Sequence, residues 1–118
     1  MATALRNAGA LVEIHDDHFP PDALDETWLN VVGQREWVAL SKDRRIRYRP
    51  PARAAIQAAG VRMFVLGAGD LQGSEMAAAF VRALPRMERF VRRHPAPFIA
   101  RVTKSGAVAM LASARQLR

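Results

Sequence analysis

Apolar residues recur at helical spacing in some stretches of the chain and crowd into short runs in others. The switches between the two patterns fall at glycine and proline. ATALRNA (2–8) reads as the last turns of a helix, with Gly9 as its stop. ALVEIH (10–15) alternates and predicts a strand; DDHFPPDA after it is a loop. A helix is predicted over 23–34, capped near Asp22, because Leu24, Trp28, Leu29 and Val32 share a face. WVALS (37–41) predicts a short buried strand. Pro50–Pro51 opens an alanine-rich helix that Gly60 ends, and VRMFVLG (61–67) is a further strand. Met76, Phe80, Leu84, Met87 and Val91 form the apolar stripe of a long helix over 73–93, with a kink or short break expected at Pro85. PFIARVT and AVAMLA, joined through Lys104-Ser105-Gly106, predict a terminal hairpin.

Strands alternating with helices imply an α/β fold, a mainly parallel sheet with helices on both faces. At 118 residues the chain is read as one domain, 1–118. In such sheets ligands gather at the carboxyl ends of the strands. Asp16 and Asp17 follow the first expected strand, Asp43 the second and Asp70 the third, so several acids fall on that rim.

Charge sharpens this picture. Residues 1–40 hold Arg6 and Arg35 against seven acids, a net of −5; residues 41–118 hold sixteen Lys and Arg against four acids, a net of +12. An acidic site beside a basic surface suits an enzyme acting on a polyanion, although uneven helix faces on a basic protein give the same sums. The absence of cysteine excludes disulfides, thiolate zinc sites and cysteine nucleophiles, and suits a cytoplasmic protein. No apolar run is long enough to span a membrane, and the first residues lack the pattern of a signal peptide. There is no phosphate loop with its lysine, no serine-nucleophile motif and no dinucleotide fingerprint; GAGDLQG (67–73) reads as a turn.

The chemistry concentrates in SKDRRIRYRP (41–50), where one carboxylate, Asp43, sits among Lys42, Arg44, Arg45, Arg47 and Arg49. Magnesium and manganese favour oxygen ligands, and magnesium usually takes one or two carboxylates and leaves room for water and phosphate. Asp43, with a strand behind it and cations ahead, suits such a role. Asp25 and Glu26 suit either a metal site or the first turn of a helix, whose dipole favours acids. Asp16 and Asp17 suit either ligation or a turn. His15 and His18 flank that pair, too few ligands for zinc. Arg82, Arg86, Arg89 and Arg93 share one helix face and, with residues 42–49, form either a phosphate-tracking surface or a solvated one. Tyr48 and Phe90 are the aromatics near cations that suit base stacking.

HDDHFPPDALDETWL (15–29), EWVALSKDRRIRYRP (36–50), RALPRMERF (82–90) and PFIARVTKSG (97–106), in this order, resemble the PIN-like domains, specifically the small VapC-related group. The match spreads over nearly all of residues 4–111. It implies a compact α/β fold and a metal-dependent ribonuclease that uses Mg2+ or Mn2+. Many relatives are toxins of toxin–antitoxin pairs, each blocked by a partner protein. By resemblance Asp25 and Asp43 are the catalytic, metal-binding acids, with Glu26 and Asp17 weaker metal candidates. The cations Lys42, Arg44, Arg45, Arg47 and Arg49 then hold RNA phosphates.

The chain departs from the family pattern at its start. The family's first strand, which ends in its first metal-binding Asp, has no counterpart before MATALRNAG. In the family that strand lies inside the sheet. The resemblance therefore predicts a start upstream of Met1, a decayed relative, or a second copy filling the gap as a homodimer. The expected function is a VapC-type endoribonuclease with RNA and an antitoxin as partners. The alternative is an inactive PIN-like domain that binds RNA or a protein. A receiver-like regulatory domain fits less well, since Thr103-Lys104 is a poor match for that fold's hydroxyl and switch lysine.

Overall fold

The structure, a computed structural model, describes residues 2–11, 13, 18–20, 22–43, 45–67 and 73–117. Helix α1 (Ala2–Asn7) is followed by α2 (Asp25–Gln34), strand β1 (Val38–Ser41), a 3-10 turn (Ile46–Tyr48), α3 (Pro50–Ala59) and β2 (Arg62–Leu66). The long α4 (Gly73–Arg93), β3 (Phe98–Val102), β4 (Val108–Ala112) and the short α5 (Ala114–Leu117) complete the described elements. The sheet runs β1-β2-β3-β4. The first three strands are parallel and β4 returns antiparallel on β3, the expected terminal hairpin.

Alternation along β2 builds two cores. Met63 and Val65 face one side, with Ala39, Ile99 and Ala112, and meet Leu29 and Val32 of α2, Ala52 and Ile56 of α3 and Leu117 of α5. Phe64 and Leu66 face the other, with Phe98, Ala100 and Val102, and meet Leu5 of α1 and Ala79, Phe80, Ala83 and Met87 of α4. Every side chain of that central strand from Met63 onward is buried, as a strand covered on both faces requires. The α/β class and the placement of helices on both faces are as the alternating pattern implies.

Three local features differ from the sequence reading. Ala10, Leu11 and Glu13, in the segment expected to be the first strand, are not in a strand, and Leu11 is fully exposed. Val12, Ile14 and His15 lie outside the described residues. Among the described residues the sheet is continuous, with β1 at one edge, and Ala10, Leu11 and Glu13 pair with none of its strands. Second, α2 begins at Asp25 behind Leu24, with no side-chain cap, rather than being capped near Asp22. Third, α4 is continuous through Pro85, so of the kink or short break expected there the break is absent. That residue is on the exposed side, where water can satisfy the carbonyl its ring leaves without a partner.

The close approach of α2 to α3 depends on Gly33. A Cβ there would lie 2.3 Å from the Ala59 carbonyl oxygen and 2.5 Å from the Ala59 Cβ. The helix stop lies three residues further on. Glu36 takes a left-handed φ of 57°, its N–H donates to the Gly33 carbonyl and Trp37 N–H donates to the Val32 carbonyl. This pairing closes a helix end by the Schellman pattern. Gly33→Ala is thus expected to destabilise by about 1–3 kcal/mol through overpacking. The usual gain of Ala over Gly in a helix, roughly 1 kcal/mol, has the opposite sign. A urea unfolding curve at or above the parent's midpoint contradicts this packing argument.

Candidate active site

Three chain segments meet at the carboxyl end of β1. Asp43 follows the last residue of that strand by two positions, Asp25 opens α2, and Arg49 is the N-cap of α3 in extended conformation. Each acid has one oxygen tied to its own segment. Asp25 Oδ1 accepts from Trp28 Nε1 at 3.2 Å, one turn along α2. Asp43 Oδ1 accepts from the Arg45 backbone N–H at 3.0 Å, and Ser41 Oγ accepts from the Asp43 N–H at 3.0 Å. These local bonds are the turn chemistry that Asp and Ser offer after a strand.

The other oxygens converge. Asp43 Oδ2 is 2.6 Å from Arg49 Nη1, while Asp25 Oδ2 is 3.0 Å from Arg49 Nε and 2.9 Å from Arg49 Nη2. Two acids 18 positions apart in the chain therefore share one guanidinium, whose fork suits paired oxygens. The three side chains are half-buried, 40% exposed for Arg49 and Asp43 and 28% for Asp25.

Partial burial raises the Asp43 pKa, but the Arg49 hydrogen bond, the Arg45 backbone N–H and the charges of Arg49 and Arg45 outweigh it and hold the carboxyl below its ordinary value. A lowered folded-state pKa means the stabilisation is complete above the unfolded-state value and is lost as pH falls through the folded-state value. At 40% exposure solvent screening limits it to on the order of 0.5 kcal/mol. The difference in urea midpoint between parent and Asp43→Asn is expected to be constant from pH 7 to 5 and to close below about pH 4. A gap that widens on acidification reverses the sign of this linkage.

The remaining candidates divide as follows. Glu26 is exposed on the first turn of α2, and Lys42 and Arg45 are exposed beside Asp43 in the chain. Arg47 is half-buried; its guanidinium lies 4.5 Å from the Tyr48 ring centroid and donates to the Tyr48 hydroxyl. Tyr48 is 68% exposed and with Arg47, Arg53, Leu111, Ala112 and Gln116 lines a cleft of about 280 Å³. Asp16, Asp17, Arg44, Asp70 and His15 lie outside the described residues. His18 Nε2 is 2.9 Å from Glu13 Oε2 and its ring stacks near Trp37. Among the described residues no three His, Asp or Glu side chains gather as a metal cluster.

On the second basic surface Phe90 is half-buried: it packs edge-on to Phe64 and Phe98 at 5.8 and 5.0 Å, and with Arg86, Arg89, Arg93 and His94 it lines a separate cleft of about 210 Å³. Arg82 donates to the Lys104 carbonyl.

A mainly parallel α/β sheet that presents acids on its carboxyl rim beside a basic loop is the class of fold to which PIN domains belong. The chain belongs to the PIN-like domain family, whose model, described as PIN like domain, matches residues 1–68, a span holding both Asp25 and Asp43. It is similar to the Mycobacterium tuberculosis protein named "Putative ribonuclease VapC45", at 27% identity over 111 residues, covering 91% of this chain and 80% of that protein. No solved structure matches. Among the described residues no helix is long and apolar enough to cross a membrane.

Proposed function

We propose that this chain is a VapC-type endoribonuclease that hydrolyses RNA phosphodiesters with Mg2+ or Mn2+, as the toxin of a toxin–antitoxin pair. The observation that carries the reading is the convergence of Asp25 and Asp43 on one cation at the carboxyl end of β1. The donor set fits the metal, since hard divalent ions take oxygen ligands and magnesium often binds through only one or two carboxylates. Asp25 and Asp43 would hold it; Glu26, Asp17 and Asp16 are further acids of the same part of the chain. Bound there, the ion supplies Lewis acidity to a water and to the phosphodiester oxygens.

The chain's own residues do the rest. Trp28, Ser41 and the Arg45 N–H orient the two carboxylates. Lys42, Arg45 and Arg47, joined by Arg44 in sequence, supply cations along the same loop for the phosphate backbone, and such contacts give affinity without choosing sequence. Exposed Tyr48 offers a face on which a base can stack. Similarity to a protein named as a ribonuclease of the VapC group supports RNA hydrolysis as the reaction, and by extension a blocking antitoxin as the protein partner. One domain spanning 1–118 accommodates the whole arrangement.

A second reading, an inactive PIN-like domain that binds RNA or a protein, is favoured by the presence of Arg49 between the acids, where a metal would sit. Cleavage of labelled single-stranded RNA decides between the two. The nuclease reading expects manganese-dependent fragments that disappear with EDTA; intact RNA with bound, folded protein supports the second.

A further inference from the structure

The geometry points to Arg49 as a resident counter-ion that occupies the cation position between Asp25 and Asp43 and swings out when a divalent metal enters. This inference rests on the reading of those two acids as metal ligands and adds a role that is different from holding RNA. Each carboxylate uses Oδ1 for its own segment and presents Oδ2 to the same guanidinium, Asp43 at Nη1 and Asp25 at Nε and Nη2. That arrangement is oriented toward a shared cation, and the cation in place is a guanidinium. Asp25 and Asp43 would hold a divalent ion in exchange for the three Arg49 contacts of 2.6, 2.9 and 3.0 Å, and a guanidinium left beside that charge would be repelled.

The exit is open. Arg49 is 40% exposed and its backbone caps α3 from outside the helix, so the side chain can reach solvent without disturbing a core residue. Residence of Arg49 offsets one of the two neighbouring negative charges when no metal is bound. It also weakens apparent metal affinity, because the ion must compete with charge-assisted hydrogen bonds. Arg49 is thus a positioning residue whose removal is expected to strengthen metal binding, the reverse of what a merely structural loss would do.

The test is a titration of Mn2+ into the full chain, reading free manganese by its paramagnetic resonance signal. Arg49→Gln is expected to bind at least ~10-fold more tightly than the parent, and Arg49→Lys, which keeps the charge but loses the fork, by a smaller factor. In the Asp43→Asn background the gain from Arg49→Gln should vanish. In the parent, the Arg49 Nε–H resonance should shift on addition of Mg2+, a readout that needs no folded variant. Equal or weaker affinity in folded Arg49→Gln, or an unmoved Nε–H signal at saturating Mg2+, overturns the Arg49 role and leaves the metal site standing. Absence of Mn2+ binding by both parent and Arg49→Gln overturns the metal reading and this proposal with it.

Discussion

Asp43→Asn is expected to reduce manganese-dependent RNA cleavage by on the order of 10²- to 10³-fold while leaving the fold in place. The magnitude follows from losing a charged metal ligand, worth several kcal/mol of transition-state stabilisation at about 1.4 kcal/mol per factor of ten. Folding should be little affected because the side chain is 40% exposed and lies in a loop beyond β1. Asn retains an oxygen for the Arg45 N–H, so the turn that orients this position is kept. What is lost is the full negative charge facing Arg49 and any metal. The measurement is initial cleavage rate at saturating manganese, beside circular dichroism of both proteins. A variant that cuts as fast as the parent removes Asp43 from the site.

The largest effect on stability is expected at Phe64. This side chain is fully buried on β2, between Leu40 of β1 and Ala100 of β3 in register. Its ring meets Phe98 at 5.4 Å and Phe90 at 5.8 Å, both edge-on. Phe64→Ala loses the transfer free energy of the ring and leaves a cavity below α4, a cost of about 3–5 kcal/mol, with the edge-on contacts adding roughly 1 kcal/mol. Against a total stability of roughly 5–15 kcal/mol for a small domain, that brings the variant near its unfolding threshold. Urea unfolding should show the midpoint collapsing, whereas Tyr48→Ala, with its ring 68% exposed, should change it by no more than about 0.5 kcal/mol. Comparable midpoints for the two variants contradict the core assignment.

How far the fold could be read in advance depended on whether the deciding interaction was local. The stripe of Met76, Phe80, Leu84, Met87 and Val91 predicted a helix over 73–93, and α4 spans Gly73–Arg93. The αL stop at Gly60, with φ 72°, is likewise a property of one residue that glycine makes cheap. Gly33 was ambiguous for the same reason in reverse. As a mark in the sequence it resembles punctuation, but it lies within α2, and what explains it is Ala59, 26 positions away. The pattern of alternation at 10–15 is strand-like, yet Ala10, Leu11 and Glu13 are not in a strand, and a strand exists only when a neighbour pairs with it. Periodicity alone does not supply that neighbour.

The site divides along the same line. Asp43 stood out as a candidate by its place after a strand, whereas Asp25 suited either a metal site or a helix start until the family resemblance singled it out. That both turn one oxygen toward Arg49 was not, because the pairing spans 24 residues on one side and 6 on the other and depends on how α2 and α3 pack. Arg49 had a signal of its own, its place directly before Pro50–Pro51, where a helix opens and the prolines have no N–H to cap. Read as one cation among five, it gave no sign that it would be the one held by both acids.

The order of strands across the sheet is also their order along the chain. During synthesis from the N-terminus, each strand can therefore dock on the outermost strand already formed. None of these four described strands has to be wedged between two neighbours that are already paired. The acids beyond β1 and at the start of α2 precede β2, β3 and β4 in the chain, so the described sheet grows away from them. The β3–β4 hairpin extends the far edge and leaves the near one as it was built.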